Sequence, residues 1–367
     1  MARAIIAETI FTGNEQIKGK ALLIENDHIK AIVAEAELPG DIEILNYPGS
    51  YVAPGLIDLQ IYGGGGFLFS NDPSVEALHA MTMALLKTGT TGFLITLATN
   101  SMDVFRKAID VVKNNTHPAV LGLHFEGPYI NPVKKGAHLE QFIKKPELDE
   151  IKALVDYAGG VIKMMTLAPE HTHASVIRHL ISNNIVVSAG HSNASFQEAK
   201  KGFEHGIQAA THLFNAMSAF HHRDTGLPGA IFQSDNVYAS IIADGIHVDY
   251  NTVAISKKIL KERLFFITDA VEENREGAYI HVKQPDRFTL PDGTLSGSCL
   301  TLLNAVQNVL NHAGISLEEA LRMASTYPAQ LIKTNDRGIL KAGARADLIV
   351  FNKNFEIKEV FLNGHIV

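Results

Sequence analysis

Four residues in this chain could do chemistry together. Glu126, His191 and His212 offer one carboxylate and two imidazoles, a mixed oxygen and nitrogen donor set that suits a borderline divalent metal such as zinc. Three protein ligands leave a position open for a water that the ion can activate. Asp269 would stand beside that water as proton acceptor and later as proton donor. Each of the four closes a short apolar run: His124-Phe125-Glu126, Ala189-Gly190-His191, Thr211-His212 and Thr268-Asp269. Another such run ends in Asp58, Gln60 and Tyr62, and another leads into Asp244-Gly245-Ile246-His247. A single histidine at such a place is more often a hydrogen-bonded strand-end residue, but four chemical groups at matching places outweigh that reading.

Other histidines compete for attention. His171-Thr172-His173 has the H-x-H spacing of a metal pair, but it follows Pro169-Glu170, where a loop or helix start is expected rather than a strand. His221-His222 reads as surface loop. Neither is assigned a metal.

The elements that must position these groups follow from hydrophobic pattern. Eight short, β-branched, nearly all-apolar runs read as strands buried on both faces: Gly55–Ile61, Thr91–Leu97, Ala119–Glu126, Gly160–Leu167, Asn184–Ala189, Ala209–Leu213, Tyr238–Ala243 and Leu264–Thr268. Amphipathic helical segments separate most of them, among them SMDVFRKAIDVVKNN and SFQEAKKGFEHG. Ser195 with Glu198, and Ser316 with Glu319, have capping-box spacing. Such alternation predicts a closed parallel (β/α)8 barrel, in which chemistry gathers at the carboxyl ends of the strands. The turn YGGGGF lacks a phosphate-loop fingerprint. Both ends of the chain read as short strands, with a type I′ hairpin signal at Asn363-Gly364. The expected organisation is α/β: a barrel over residues 53–334, and a small discontinuous β-sandwich domain built from residues 1–52 and 335–367.

Composition bounds the rest. The 367 residues are 46% hydrophobic and 19% charged with net charge −7, enough apolar surface for a large core and no basic footprint for nucleic acid or an anionic membrane. Cys299 is the single cysteine, so no intrachain disulfide can form. No apolar run approaches the ~18 residues of a membrane span, and the first residues read as a strand rather than a signal peptide. A cytoplasmic location is expected.

Several long segments, LHFEGPYINPVKKGAH, VVSAGHSNASFQEA, THLFNAMSAFHHRDTGLPGA, ITDA and DGTLSGS, together resemble the N-acetylglucosamine-6-phosphate deacetylases of the amidohydrolase superfamily. The likeness runs from VAPGLIDLQ to GARADLIVFN. It implies hydrolysis of N-acetyl-D-glucosamine 6-phosphate to D-glucosamine 6-phosphate and acetate, in amino-sugar catabolism and cell-wall sugar recycling. By motif position it implies Glu126, His191 and His212 as metal ligands, Asp269 as acid/base, and His138 as a residue polarising the amide carbonyl. Asn215 and Ala216 resemble backbone phosphate contacts, and His247 a substrate-contacting histidine. Arg223 resembles a phosphate-binding arginine supplied by a neighbouring subunit, which implies a homodimer or homotetramer. One divalent ion per subunit is expected, Zn2+ first and Fe2+, Co2+ or Mn2+ as substitutes, because Gln60 and Tyr62 stand where binuclear relatives carry H-x-H. Val271-Glu272-Glu273-Asn274 departs from a family run of small residues, and its two acids would repel an anionic substrate unless they point away. The galactosamine isomer as substrate, or a non-catalytic sugar-phosphate binder, are the alternatives.

Overall fold

A computed structural model describes residues 2–367. Eight strands run parallel in the order of the chain: Leu56–Ile61, Thr90–Ala98, Val120–Glu126, Ile162–Leu167, Val186–Ala189, Ala209–Ala210, Tyr238–Ile241 and Leu264–Phe266. The ring closes through backbone hydrogen bonds from Asp269 N to Gln60 O and from Tyr62 N to Ala270 O, each 3.0 Å. Helices such as Val75–Lys87, Met102–Asn114, Leu148–Ala158 and Tyr250–Leu260 cover the outside. One continuous core of strand and helix side chains, including Leu59, Phe93, Phe125, Ile177 and Phe265, fills the space between, as burial on both faces of a parallel sheet requires. None of the described helices is long and apolar enough to cross a membrane.

Two strands stop short of the functional residue that closes their apolar run. Ala209–Leu213 is a ladder only through Ala210, and Leu264–Thr268 only through Phe266. The cause is the backbone at the functional residues: His212 has φ +36° and Asp269 φ +54°, conformations that cannot continue a strand.

The ends of the chain form one eight-stranded sheet, in which Ala2–Phe11 pairs with Lys20–Glu25 and Glu43–Pro54, and Leu348–Asn352 pairs antiparallel with Glu43–Pro54. Its core joins Ile5, Ile10, Leu22 and Ile24 with Leu348, Val350 and Phe361. At the expected hairpin, Asn363 and Gly364 both take positive φ, +51° and +73°, as a type I′ turn demands. Ser195 and Glu198 make the full capping box. Ser316 accepts from Glu319 N, but the Glu319 carboxylate bonds Arg322 and Tyr327, so only half of that box forms.

Unforeseen from sequence is a three-stranded antiparallel sheet, Val282–Lys283, Arg287–Thr289 and Leu295–Ser298, inserted after the eighth barrel strand. Its strands are too short for a period-two pattern to stand out among their turn residues.

Asp347 joins the two lobes. Its side chain is buried; one carboxylate oxygen lies 2.8 Å from Arg345 Nε and 3.4 Å from Arg337 Nη1, and the other accepts from Asn363 N at 2.8 Å. The Arg345 contact is close as a charge pair without hydrogen-bond alignment. Both guanidinium groups also donate to the carbonyl of Pro118, at the foot of the barrel. Asp347→Ala should cost about 3–5 kcal/mol, because two arginines lose the partner of a buried ion cluster; denaturant unfolding would show it, and a loss below about 1 kcal/mol would contradict the assignment.

Candidate active site

The residues singled out by strand-end position and by the family resemblance converge on one cavity of about 170 Å³ at the carboxyl ends of the barrel strands. Glu126, His138, His191, His212, Asn215, Ala216, His247 and Asp269 all line it. Glu126 ends the third strand. Its Oε1 lies 2.9 Å from His212 Nε2 and 3.5 Å from His191 Nε2, and the two Nε2 atoms are 3.1 Å apart. All three side chains are buried. Among the described residues, this is the one group of His, Cys, Asp and Glu whose donor atoms are close enough to share an ion.

Tautomers follow from second partners. His191 Nδ1 lies 2.7 Å from the carbonyl oxygen of Lys134, so it carries the proton and leaves Nε2 a lone pair facing His212. The His191 lone pair, a ring nitrogen of His212 and a carboxylate oxygen facing one another fit a cation. Among the described residues Gln60 Oε1 is buried without a partner, polar capacity that the chain alone does not satisfy, as expected of a centre completed by something it binds. Gly190, just before His191, is required by packing: a Cβ there would come within 2.7 Å of Thr166 Cγ2 and 2.9 Å of Thr211 Cβ.

His138 comes from the loop after the third strand. Its Nδ1 accepts from Thr99 N at 3.1 Å, so the proton sits on Nε2, 3.0 Å from Glu126 Oε2. Burial lowers its pKa to about 4, which keeps a neutral ring with one N–H directed into the site. Burial works against the charge of Glu126, but His191, His138 and His212 outweigh it and hold the carboxyl well below its usual range. Asp269 is pushed up by burial, with the neighbouring His212 opposing and Glu126 adding to the shift; its Oδ1 accepts from Gln60 Nε2 at 2.8 Å.

His247 is oriented by Asp244, whose Oδ2 lies 2.6 Å from His247 Nδ1 and whose Oδ1 accepts from the backbone N–H groups of Ile246 and His247. Asn215 and Ala216 lie where the backbone twists repeatedly, with Phe214 at φ +78° and Ala216 at +49°, the kind of turn that brings N–H groups toward one point. The Asn215 N–H is already given to the carbonyl of His212 at 2.9 Å.

Arg223 is not brought to its own cavity. It sits in an exposed stretch, Ala219–Asp224, and its guanidinium has no hydrogen bond or ion pair among the described residues; Asp224 bonds Gly226 N instead. The rings of His221 and His222 lie 4.0 Å apart, tilted by 48°, on that surface. His171 ends a short 3-10 turn, Pro169–His171, and His173 immediately precedes the helix Ala174–Ser182, so the H-x-H pair lies off the site, as its Pro169 context predicts. The two acids after Asp269 point away: Glu272 accepts from Gly66 N and Glu273 pairs with Arg275, and neither lines the cavity.

Lining residues without a role in the sequence reading include Tyr279, His281 and Ser296, all from the inserted sheet and its approach. His281 Nδ1 contacts Ser296 Oγ at 2.9 Å. Only the DGTLSGS segment pointed there in advance. The Tyr62 hydroxyl donates to Glu126 Oε2 and accepts from Gln60 Nε2, so both strand-end residues serve the carboxylate as hydrogen-bond partners.

An amidohydrolase family model matches residues 51–367, and a model described as the NagA composite domain matches residues 4–52. The chain is 35% identical to an N-acetylglucosamine-6-phosphate deacetylase of Haemophilus influenzae, over 99% of both chains. The structure of N-acetylglucosamine-6-phosphate deacetylase from Pasteurella multocida superposes with a TM-score of 0.95 at 34% identity, covering all of both chains. An aspartate-to-alanine variant of the Mycobacterium smegmatis enzyme, solved with N-acetyl-D-glucosamine 6-phosphate, superposes at 0.92 with 26% identity, covering 100% of this chain and 99% of that one.

The donor geometry has room for one ion, since Glu126 Oε2 is already engaged by Tyr62 and His138. Protein purified without added metal should contain about one divalent ion per chain, and His191→Ala or His212→Ala should lose it. Elemental analysis checks this, and two ions per chain with activity rising in step would overturn it.

Proposed function

The chain belongs to the amidohydrolase family, among its N-acetylglucosamine-6-phosphate deacetylases, and on that premise we propose how its residues carry the reaction. The chain hydrolyses the acetamide of N-acetyl-D-glucosamine 6-phosphate, giving acetate and D-glucosamine 6-phosphate. The galactosamine isomer is not favoured, since these relatives are named for the gluco sugar. A non-catalytic binder would be expected to lack a ligand or the acid/base, and Glu126, His191, His212 and Asp269 are all in place. Their convergence with His138 on one cavity carries the assignment.

Glu126, His191 and His212 would hold one divalent ion, with zinc the best match to an imidazole and carboxylate set. When bound, the ion supplies a Lewis acid that activates water near neutral pH and polarises the acetyl carbonyl. Asp269 takes a proton from the attacking water and then gives it to the departing amine. Its desolvated setting favours both roles, because a carboxyl with a raised pKa is the better proton acceptor and still returns the proton to nitrogen. When substrate binds, the single Nε2–H of His138 leaves Glu126 Oε2 and donates to the carbonyl oxygen, where negative charge develops in the transition state. His247, braced by Asp244, presents Nε2 to a sugar hydroxyl. The Ala216 N–H and the side-chain amide of Asn215 meet the 6-phosphate, since the Asn215 backbone N–H is spent on His212.

A dianionic phosphate needs a cation as well, and among the described residues that line the chain's own cavity there is no lysine or arginine. Arg223, unpaired on an exposed loop beside the half-exposed ring of Phe220, supports the reading that it completes a partner subunit's site in a homodimer or a multiple of one.

Acetate release from a panel of phosphorylated and free N-acetyl sugars, with metal content measured in parallel, tests the assignment. Asp269→Asn should keep metal and substrate but lower kcat by about 10²–10⁴ or more; retention of a tenth of wild-type kcat would remove Asp269 from the role. Arg223→Ala should raise KM for the 6-phosphate while scarcely changing turnover of the unphosphorylated sugar. Mixing Arg223→Ala with Asp269→Asn protomers should restore part of the activity, since a mixed dimer carries one site with both defects and one intact. No recovery, with subunit exchange confirmed, would place Arg223 in its own chain's site or outside catalysis.

A further inference from the structure

The roles above account for metal, water, sugar and phosphate, yet one flank of the cavity is left unused by them. Tyr62, Leu68, Ala98, Val271 and Tyr279 all line it, and they pack on one another as a buried cluster with Phe288 and Leu139 behind. The side formed by Asn215, His247 and Asp269 is polar. Hydrogen bonds fix where the apolar flank lies. Tyr62 donates to Glu126 Oε2, the same oxygen that His138 Nε2 meets at 3.0 Å. The Tyr279 hydroxyl donates to the carbonyl of Thr99, whose own N–H holds His138 Nδ1, and Ala98 is the residue before it. The apolar surface therefore begins directly beside His138 and the carboxylate.

We propose that Tyr62, Leu68, Ala98, Val271 and Tyr279 form an acyl compartment that receives the methyl of the N-acetyl group and sets the length of acyl chain the enzyme removes. The proposal rests on the deacetylase reading above. A planar amide carbon has three substituents in three directions. Its oxygen goes to His138 and the metal centre, and its nitrogen continues toward Asp269, His247 and the sugar. The third substituent is an alkyl group, and the remaining direction leads onto the apolar flank. Burying methyl there is favourable, whereas turning it to the polar side would strip water from groups it cannot replace.

The walls of the compartment are buried and held in place. Tyr62, Leu68, Val271 and Tyr279 are each less than a tenth exposed. Both tyrosine rings are held by their hydroxyls. The backbone flanking the two aliphatic residues is also pinned: Phe69 N bonds Tyr62 O, and Val271 N bonds Ser298 O. Longer acyl chains meet walls that cannot yield cheaply in a close-packed interior.

The test compares kcat/KM for the N-acetyl, N-propionyl and N-butanoyl derivatives of glucosamine 6-phosphate, reading the released amine so that every acid counts equally. In the wild type each added methylene should lower kcat/KM by about 10–200-fold. Leu68→Ala and Val271→Ala should raise the propionyl-to-acetyl ratio at least about tenfold, and Ala98→Val should lower it. Tyr62→Phe keeps the ring, so its ratio should stay near wild type whatever happens to metal content. Thermal melting identifies any variant that does not fold, and Leu68 and Val271 test the compartment independently. A wild type that accepts all three acyl groups equally would overturn the proposal, and so would a ratio unmoved in folded variants. A wild type that releases no amine from the acetyl substrate would instead sink the deacetylase reading itself.

Discussion

The structure is organised around one buried negative charge. Glu126 is 2% exposed, and a carboxylate so far from water is tolerable only when every lone pair is engaged. Its two oxygens face different sets of partners. Oε1 meets His212 and His191, with Gln60 Nε2 at 3.0 Å; Oε2 meets His138 and Tyr62. These partners come from the first, fifth and sixth strands and from the loop after the third. Satisfying the charge therefore pulls much of the barrel mouth into register. Gln60 extends the arrangement to Asp269 at the seam where the first and eighth strands close the ring.

Backbone strain is concentrated at the same place. His191, His212 and Asp269 have φ of +46°, +36° and +54°, in the left-handed region that non-glycine residues rarely enter. Each follows a strand whose ladder holds the preceding residues straight, so the turn occurs two or three residues beyond the strand and aims the side chain inward. Interior hydroxyls brace the ladder beneath: His124 Nε2 contacts Thr166 Oγ1, which contacts Thr211 Oγ1, which contacts Ser188 Oγ, at 2.7, 2.7 and 2.6 Å. This cross-strand chain of buried polar groups lies one layer below the ligands and is satisfied within the barrel.

Net acidity does not conflict with an anionic substrate, because the charges near the mouth are individually directed. Glu272 and Glu273 are turned to Gly66 N and Arg275, and Asp244 is spent on orienting His247. What faces the cavity is the set of imidazole rings and N–H groups, together with the carboxylates that serve the metal and the proton transfer.

How much of this was legible in the sequence depends on the range of the physics involved. The barrel, its strand order and the strand-end clustering of Glu126, His191, His212 and Asp269 were readable because burial on both faces writes a local apolar run, and each functional residue sits where that run stops. The Asn363-Gly364 hairpin and the Ser195–Glu198 box were readable for the same reason, since their hydrogen bonds lie within four residues. The inserted sheet with Tyr279 and His281 left no periodic trace, because its stability comes from packing against the barrel rather than from its own strands. Tyr62 shows the division most clearly. Sequence excluded it as a good second-metal ligand, but only the fold decided its work. A hydroxyl that bonds the outer oxygen of Glu126 while its ring walls an apolar flank is a relation among residues 62, 126, 138 and 271, and no local pattern encodes contacts across so many positions.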